Sequence, residues 1–326
     1  SSINLTGSRN CGSLPSAMFL FRWATATAVV TYGLLIAGGF VHSTGSALAC
    51  PDWPTCYGTL MPPMTGGIFY EHGHRLLGAA VGLMTCVLCV LVFVQRRDDR
   101  RLKNLAVATV LMVVVQGLLG GLTVKLRLPP VVSTSHFALS MIFFVTTIVL
   151  AFGLRPAAAN APEPPSRSAR RWIVGAALIV YVQMALGAAM RHAGVSLVCV
   201  DLPLCRGQLW PPGAPAIVYL HVLHRYVGVV AALAVIAMSI VLVRAKAPAR
   251  IRRLGLGASV LVCVQIVLGI FAILRFLDLT IVMAHMGVAA ALLATLVSMA
   301  LYAAPARSEA LVVSPAASRQ PAALGE

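Results

Sequence analysis

Long apolar stretches, separated by short polar or proline-containing segments, account for most of the chain. Eight of these stretches are long enough, as α-helices of about 20 residues, to cross a hydrocarbon core of roughly 30 Å. They lie near residues 19–41, 74–94, 104–124, 133–154, 172–190, 216–243, 254–274 and 279–303. The pattern predicts an all-α integral membrane protein with eight transmembrane helices.

Composition supports this prediction, and charge adds an orientation. Of the 326 residues, 59% are hydrophobic and only 10% are charged, which leaves too little polar surface for a water-soluble globule. The net charge of +16 comes mainly from clusters that follow spans two, four and six. By the positive-inside rule these clusters are cytoplasmic, so both termini are also expected there. The charge therefore reports topology in the lipid bilayer, and nucleic-acid binding is not expected. The clusters contain Arg96, Arg97, Arg100, Arg101, Lys103, Arg155, Arg167, Arg170, Arg171, Arg244, Lys246, Arg250, Arg252 and Arg253.

The second half of the chain repeats the first. At the offset that separates Cys50 from Cys199, CPDWPTC lies over CVDLPLC, VVQGLLG over CVQIVLG, and TSHFA over MAHMG. One inserted residue brings HRLLGAAVGL over HRYVGVVAAL. Matches in unchanged order indicate an internal repeat, here two pseudo-symmetric four-helix bundles. The predicted organisation is a cytoplasmic tail 1–18, an N-terminal unit 19–154, a cytoplasmic linker 155–171, a C-terminal unit 172–303 and a cytoplasmic tail 304–326.

Two cysteine pairs fall in the predicted outer loops, one before span two and one before span six. Disulfides persist outside the cytoplasm, so the loop-local bridges Cys50–Cys56 and Cys199–Cys205 are expected. A ring this short restrains the unfolded chain by only about 2 kcal/mol. A structural staple and, for Cys50–Cys56, a redox role both remain open.

Four histidines stand near the outer ends of the even-numbered spans. They are His74 and His136 in the first unit and His224 and His285 in the second. Ionisable groups inside a bilayer are costly and usually functional. Zinc usually takes three or four protein ligands, whereas haem iron takes axial ligands in an apolar slot. Two histidines per unit therefore suggest one haem per unit, with the proline-rich loop as a lid.

Arginine and glycine accompany these histidines. Arg75 and Arg225 directly follow His74 and His224 and suit a haem propionate, although binding of lipid phosphate is an alternative. Glycines on spans three and seven either admit the flat porphyrin or serve helix packing. These glycines are Gly117, Gly120, Gly121 and Gly269.

One position breaks the repeat. Glu71 lies three residues before His74, on the same helix face, whereas the second unit has His221 at this position. A carboxylate beside one site only makes the two units chemically unequal. This difference favours catalysis in the first unit over simple electron transfer.

Several motifs together resemble those of the haem A synthases, over nearly the whole chain. They are STGSALACPDWPTCYG, EHGHR, GLLGGLTV followed by SHF, HRYVG and AHMG. The resemblance implies an oxidoreductase that converts the C8 methyl group of haem O, by successive hydroxylations, to the formyl group of haem A for terminal oxidases. It implies that His224 and His285 bind a haem b cofactor, that His74 and His136 flank the substrate haem, and that Glu71 is catalytic.

The resemblance also implies a setting and partners. The expected location is a bacterial inner (plasma) membrane with the cysteine loops outside, and the expected partners are haem O synthase and cytochrome oxidase assembly factors. Oligomeric state stays open, a homo-oligomer included.

His42 departs from the family pattern, which has a basic residue before the S-T-G segment. Arg75, Lys125 and Arg127 are therefore the candidates for binding substrate propionates. The sequence assigns no role to three further histidines, His72, His192 and His221.

Two functions of other classes fit the same histidines. One is a quinol-linked, cytochrome b-like carrier with two haems, and the other is a haem transporter or chaperone. The difference between Glu71 and His221 argues against the carrier, and firm bis-histidine ligation argues against the transporter.

Overall fold

Eight long helices make up nearly all of the structure, a computed structural model that describes residues 14–156 and 165–304. The helices are α1 (Leu14–Ser43), α2 (Gly66–Gln95), α3 (Arg100–Lys125), α4 (Pro130–Gly153), α5 (Arg167–His192), α6 (Ala216–Arg244), α7 (Ala249–Leu274) and α8 (Leu279–Tyr302). No β-strand occurs in these two ranges, which hold only two isolated β-bridges. The prediction of eight apolar helices is confirmed.

All eight helices are long and apolar enough to span a membrane. Large apolar side chains such as Leu83, Val90, Leu118 and Val260 are exposed on their outer faces, which suits a lipid environment. The chain is therefore a multi-pass membrane protein. The cytoplasmic placement of the termini stays a prediction, and most of both tails and of the linker (1–13, 157–164 and 305–326) lies outside the described residues.

Helix α2 begins earlier than its apolar run suggests. The predicted span starts at residue 74, but the helix starts at Gly66. Its first turns contain the polar residues Glu71, His72 and Arg75, so the apolar run on which the prediction rests begins only after the helix has started. These polar groups therefore belong to the helix itself, and they point at the loop that precedes it.

Each set of four helices packs as a ring. Helix α1 contacts α2 and α4, and α3 contacts α2 and α4; α5, α6, α7 and α8 repeat this arrangement. Within the described residues the diagonal helices α2 and α4 do not pack directly on each other, nor do α6 and α8. The four histidines therefore lie on helices that face each other across the centre of a ring.

The two rings also contact one another, through α1, α4, α5 and α8. Two tyrosines bond across this boundary: the Tyr32 hydroxyl donates to the carbonyl of Gly287 at 3.1 Å, and the Tyr181 hydroxyl to that of Ala138 at 3.3 Å. The division into units 19–154 and 172–303 stays a prediction, because a continuous set of contacts joins them.

Candidate functional site

The four predicted ligand histidines lie at a common level in their helices. His74 and His224 are eight residues inside the first residues of α2 and α6, and His136 and His285 are six residues inside those of α4 and α8. At 1.5 Å per residue this is about 9–12 Å below the helix ends. Equal depth on facing helices is what a ligand pair requires.

Each of these imidazoles packs against a glycine of the preceding helix. A Cβ atom placed on that glycine would come within 2.8–3.3 Å of the histidine Cε1 atom, so only glycine leaves room for the ring. The four glycines share the repeat offset, so the arrangement is the same in both units. The pairs are Gly38 with His74, Gly120 with His136, Gly187 with His224, and Gly269 with His285.

Two of these four glycines, Gly120 and Gly269, are predicted from the sequence as candidates for contact with a porphyrin. The sequence also indicates Gly121 and Gly117, which do not contact a histidine: Gly121 packs against the Trp53 ring, and Gly117 has nothing within 4 Å of a Cβ position. The structure thus assigns the first two to histidine packing and Gly121 to contact with the loop.

One helical turn before each of these glycines, on the same helix face, stand Leu34, Gln116, Gln183 and Gln265. A ligand histidine commonly turns one ring nitrogen to a carbonyl and so frees the other for the metal. In three of the four histidines, His74, His136 and His285, Nδ1 is buried and has no hydrogen-bond partner.

The exception is His224, which a side chain holds in place. The Gln183 amide nitrogen lies 3.0 Å from His224 Nδ1 and donates to the His224 carbonyl at 2.8 Å. The first unit has Leu34 at the position of Gln183, so His74 lacks this support. His224 is therefore more firmly oriented than His74, whereas in the other pair it is the first-unit histidine, His136, whose carbonyl accepts a glutamine amide, that of Gln116 at 2.9 Å.

These observations fit a haem at each pair. The helices that carry His74 and His136 lie opposite each other in the first ring, as do those that carry His224 and His285 in the second. Among the described residues, neither pair belongs to a group of three or more metal-ligating side chains. Two histidines without a third ligand argue against zinc and for a metal that brings its own equatorial ligands.

Glu71 is the one buried carboxylate in the described part of the chain, with 3% of its surface exposed. Its Oε1 atom forms an ion pair with Arg75 at 2.6 Å, and its Oε2 atom accepts the backbone N–H of Cys50 at 2.8 Å. Both oxygens are thus engaged at the junction between α2 and the first cysteine loop.

Arg75 and Arg225 bind the cysteine loops. Arg75 donates to the carbonyls of Asp52 at 2.7 Å, Thr55 at 2.6 Å and Cys50 at 3.3 Å. Arg225 donates to the equivalent carbonyls, those of Asp201, Leu204 and Cys199. What the structure shows for both guanidinium groups is loop anchoring, and propionate binding by them stays a prediction. Lys125 and Arg127 are exposed at the end of α3.

Both cysteine loops are closed as expected. The sulfur atoms of Cys50 and Cys56 are 1.97 Å apart, and those of Cys199 and Cys205 are 1.88 Å apart. All four cysteines are buried. Two bridges within their own loops make each loop a compact unit on top of its ring of helices.

An aspartate organises each loop from within. Asp52 accepts hydrogen bonds from the Thr55 hydroxyl and from the N–H groups of Tyr57 and Gly58. These bonds, the one from Thr55 first, lower the pKa of Asp52 from 3.8 to about 2. Asp201 accepts the N–H groups of Arg206 and Gly207, and these bonds also lower its pKa.

Two histidines without an assigned role prove to fasten the loops. His72 Nε2 lies 2.9 Å from the Leu60 carbonyl, and His221 Nδ1 lies 2.9 Å from the Val195 carbonyl. Both rings are buried. These bonds tie each loop to the helix that follows it, and in the first unit the Trp53 ring also packs against Gly121 of α3. A lid function for the loops stays a prediction.

The remaining histidines, His42 and His192, meet where the two rings touch. Their ring centroids are 5.0 Å apart at an interplanar angle of 86°. Beside them, Arg191 donates to the Ser43 hydroxyl. Sequence reasoning missed this contact, although the repeat offset places His42 over Arg191 and Ser43 over His192.

The fold and the site together define a multi-pass helical membrane protein with two paired-histidine sites, each beneath a disulfide-closed loop. The chain belongs to the family described as cytochrome oxidase assembly protein, whose sequence model matches residues 21–297. The resemblance to haem A synthases that the motifs indicated is thereby confirmed.

Curated relatives carry the name haem A synthase. The one from Symbiobacterium thermophilum is 35% identical over 196 residues, which cover 57% of this chain and 63% of that protein. The one from Alkalihalophilus pseudofirmus is 30% identical over 214 residues, 64% of this chain and 71% of that protein. The one from Shouchella clausii is 28% identical over 230 residues, 68% of this chain and 75% of that protein. The matched region thus spans 63–75% of the length of these three relatives, less than two thirds in the first case.

Proposed function

We propose that the protein is a haem A synthase that oxidises the C8 methyl group of haem O to a formyl group by successive hydroxylations. The observation that carries this proposal is the inequality of two otherwise repeated sites. Both have a histidine pair, a glycine behind each ring and an anchored loop, but only the first has a buried carboxylate, Glu71. The name that the curated relatives carry, haem A synthase, and the family membership of this chain support the same activity.

The second site suits a resident cofactor, haem b, held by His224 and His285. When bound, haem b would supply one-electron redox chemistry to the neighbouring substrate site. The side chain of Gln183 holds His224 in place and would keep this ligand oriented. Firm ligation is what a cofactor that stays through many turnovers requires.

The first site suits a substrate that must enter and leave. His74 and His136 would flank haem O, and His74 has no side-chain hydrogen bond comparable to that of His224. Because Arg75 and Glu71 join α2 to the cysteine loop, movement of that loop would both open the site and shift the carboxylate. The loop would exclude bulk water while it is closed.

Glu71 is the group placed to handle protons in this unit. Its carboxylate is buried, three residues from His74 on the same helix, and held by one cation and one backbone N–H. From there it would accept a proton released as the methyl group is oxidised, or stabilise positive charge that develops nearby. The second unit offers only the imidazole of His221 at this position.

The setting follows from the same proposal. The protein would act in a bacterial inner membrane with its cysteine loops outside, receive haem O from haem O synthase and deliver haem A to cytochrome oxidase assembly factors. Nucleic acid has no place in this function, since the basic residues flank the helices.

Replacing Glu71 by Gln tests the catalytic role. The amide is nearly isosteric, and its oxygen can still accept the Cys50 N–H, but the charge is lost. We expect normal insertion, retained haem b, and accumulation of haem O or a hydroxylated form in place of haem A, measured by mass spectrometry of extracted haems. Glu71→Asp should be milder, because it keeps the charge and changes only its reach.

His221→Gln is the matched control, since it alters the equivalent loop anchor of the other unit. It should leave haem A formation largely intact. Normal haem A output from Glu71→Gln would refute the catalytic role of Glu71. Wild-type protein that binds two haems but forms no haem A would instead support the two-haem electron carrier.

A further inference from the structure

Where the two rings contact each other, the side chain of Arg191 has no carboxylate partner among the described residues. Arg191 lies at the second-last position of α5, mostly inside the protein, and donates one hydrogen bond to the Ser43 hydroxyl. The one ion pair between side chains in the described residues is that of Arg75 with Glu71, so no carboxylate neutralises Arg191 there. The negative end of the α5 dipole offsets only part of its charge.

The surroundings of Arg191 form a polar cluster of two histidines and two hydroxyls. His42 packs on His192, and His192 Nδ1 lies 3.2 Å from the Thr134 hydroxyl. None of these groups is an anion, and all can donate a hydrogen bond. A partly buried arginine among neutral donors is expected to bind an anionic ligand, because an unpaired charge at this depth is costly.

The position of the cluster identifies the anion. Arg191 lies one helical turn after Gly187, on the same face of α5, and Gly187 packs against the imidazole of His224. The other arginines near the two sites, Arg75 and Arg225, are already bound to loop carbonyls. Arg225 has only its Nε nitrogen without a partner, whereas Arg191 donates one hydrogen bond and has the larger number of donors left beside the second site.

We propose that the Arg191 guanidinium binds a propionate carboxylate of the haem held by His224 and His285. This inference rests on the proposed function, in which that haem is the resident haem b. A guanidinium presents two parallel N–H groups to a carboxylate, which suits a ligand that must not dissociate.

The repeat shows why one haem would be retained and the other exchanged. The contact of Arg191 with Ser43 is the pseudo-symmetric image of the contact of His192 with His42, at the repeat offset. The first unit therefore has an imidazole where the second has a permanent cation. A substrate haem without this fixed charge leaves its site more easily.

The test compares Arg191→Gln with wild-type protein and with Arg275→Gln, a control that removes an exposed arginine from the α7–α8 loop. Purified proteins are incubated with apomyoglobin to measure the rate of haem b loss, and the reduction midpoint of the haem is titrated. Arg191→Gln should lose haem b roughly tenfold faster, the effect of one charge-assisted hydrogen bond. Its midpoint should fall, because the lost cation disfavoured the ferric state, while the low-spin spectrum persists.

Arg191→Lys is a second variant that keeps the test valid if Arg191→Gln fails to fold. Lysine keeps the positive charge but lacks the two parallel N–H groups of a guanidinium. The reduction midpoint of the haem should therefore stay near that of wild type, while haem loss accelerates. Haem loss and a midpoint equal to those of Arg275→Gln, in both Arg191 variants, would overturn the inference. That result together with a bound phospholipid lost only from Arg191→Gln would assign the site to a lipid phosphate instead.

The proposed function can fail separately from this inference. A wild-type protein that binds haem b but makes no haem A would refute the synthase activity. The comparison of Arg191 variants would still decide the propionate contact, because its readouts are haem retention and potential.

Discussion

Replacing Gly187 by Ala tests whether the four glycines position the haem ligands. The new Cβ atom would lie 2.8 Å from His224 Cε1 and 3.3 Å from Nδ1. Unstrained Cβ contacts are longer than this, so the imidazole or helix α5 must move. Either movement takes His224 away from its place opposite His285.

Two opposing terms set the size of the effect. Alanine favours a helix over glycine by about 1 kcal/mol, whereas overpacking of a well-packed site costs roughly 1–3 kcal/mol. Gly175 lies on the same helix, and a Cβ atom there would have nothing within 4 Å. Gly175→Ala therefore gains the helix propensity of alanine without any overpacking. The difference between the two variants therefore isolates the clash, and 1–3 kcal/mol corresponds to about 5- to 150-fold in haem affinity.

The assay is the haem b content and the rate of haem loss of purified protein, with the low-spin absorption spectrum as a report on ligation. Gly187→Ala should bind haem weakly, and Gly175→Ala should match wild type. Gly269→Ala, with a clearance of 3.2 Å to His285, should be milder than Gly187→Ala. Equal haem content and spectra for Gly187→Ala and Gly175→Ala would refute the idea that these glycines shape the ligand geometry.

Two further predictions concern the cysteine loops. Because the pKa of Asp52 is lowered to about 2, its stabilisation of the loop is present above about pH 4 and is lost as the pH falls toward 2. Pepsin should therefore cut the loop of the wild-type protein at pH 2 but not at pH 4. The loop of Asp52→Asn should be cut already at pH 4. Equal cleavage of wild type and Asp52→Asn at pH 4 would contradict this prediction. Thiol labelling without reductant should find Cys50, Cys56, Cys199 and Cys205 blocked, and peptide mapping should place both bridges within their own loops. Bridges between the two loops would be inconsistent with the structure.

Much of the fold was accessible from the sequence because a membrane imposes a simple rule. An apolar run of about 20 residues has few alternatives to a spanning helix, and all eight were found. The error at the start of α2 came from the same rule, since Glu71, His72 and Arg75 interrupt the run without ending the helix. The internal repeat then paired the four histidines without any structural information.

The contacts of the polar groups were less accessible. The spacing of Glu71 and Arg75, four residues apart on one helix, signals an ion pair and could have been used. Nothing in the sequence shows that Arg75 and Arg225 bind loop carbonyls, because a carbonyl is present at every residue. The cluster around Arg191 and His192 depends on how two rings of helices meet, which a one-dimensional pattern does not contain.

We expect two unequal haem sites in this chain, a cofactor site at His224 and His285 and a substrate site at His74 and His136. The most direct measurement is the haem content and spectrum of purified wild type, His285→Ala and His136→Ala. The variant His285→Ala should lose one low-spin haem b, whereas His136→Ala should keep it but form no haem A. An unchanged haem b spectrum in His285→Ala, or the same loss in both variants, would contradict this expectation.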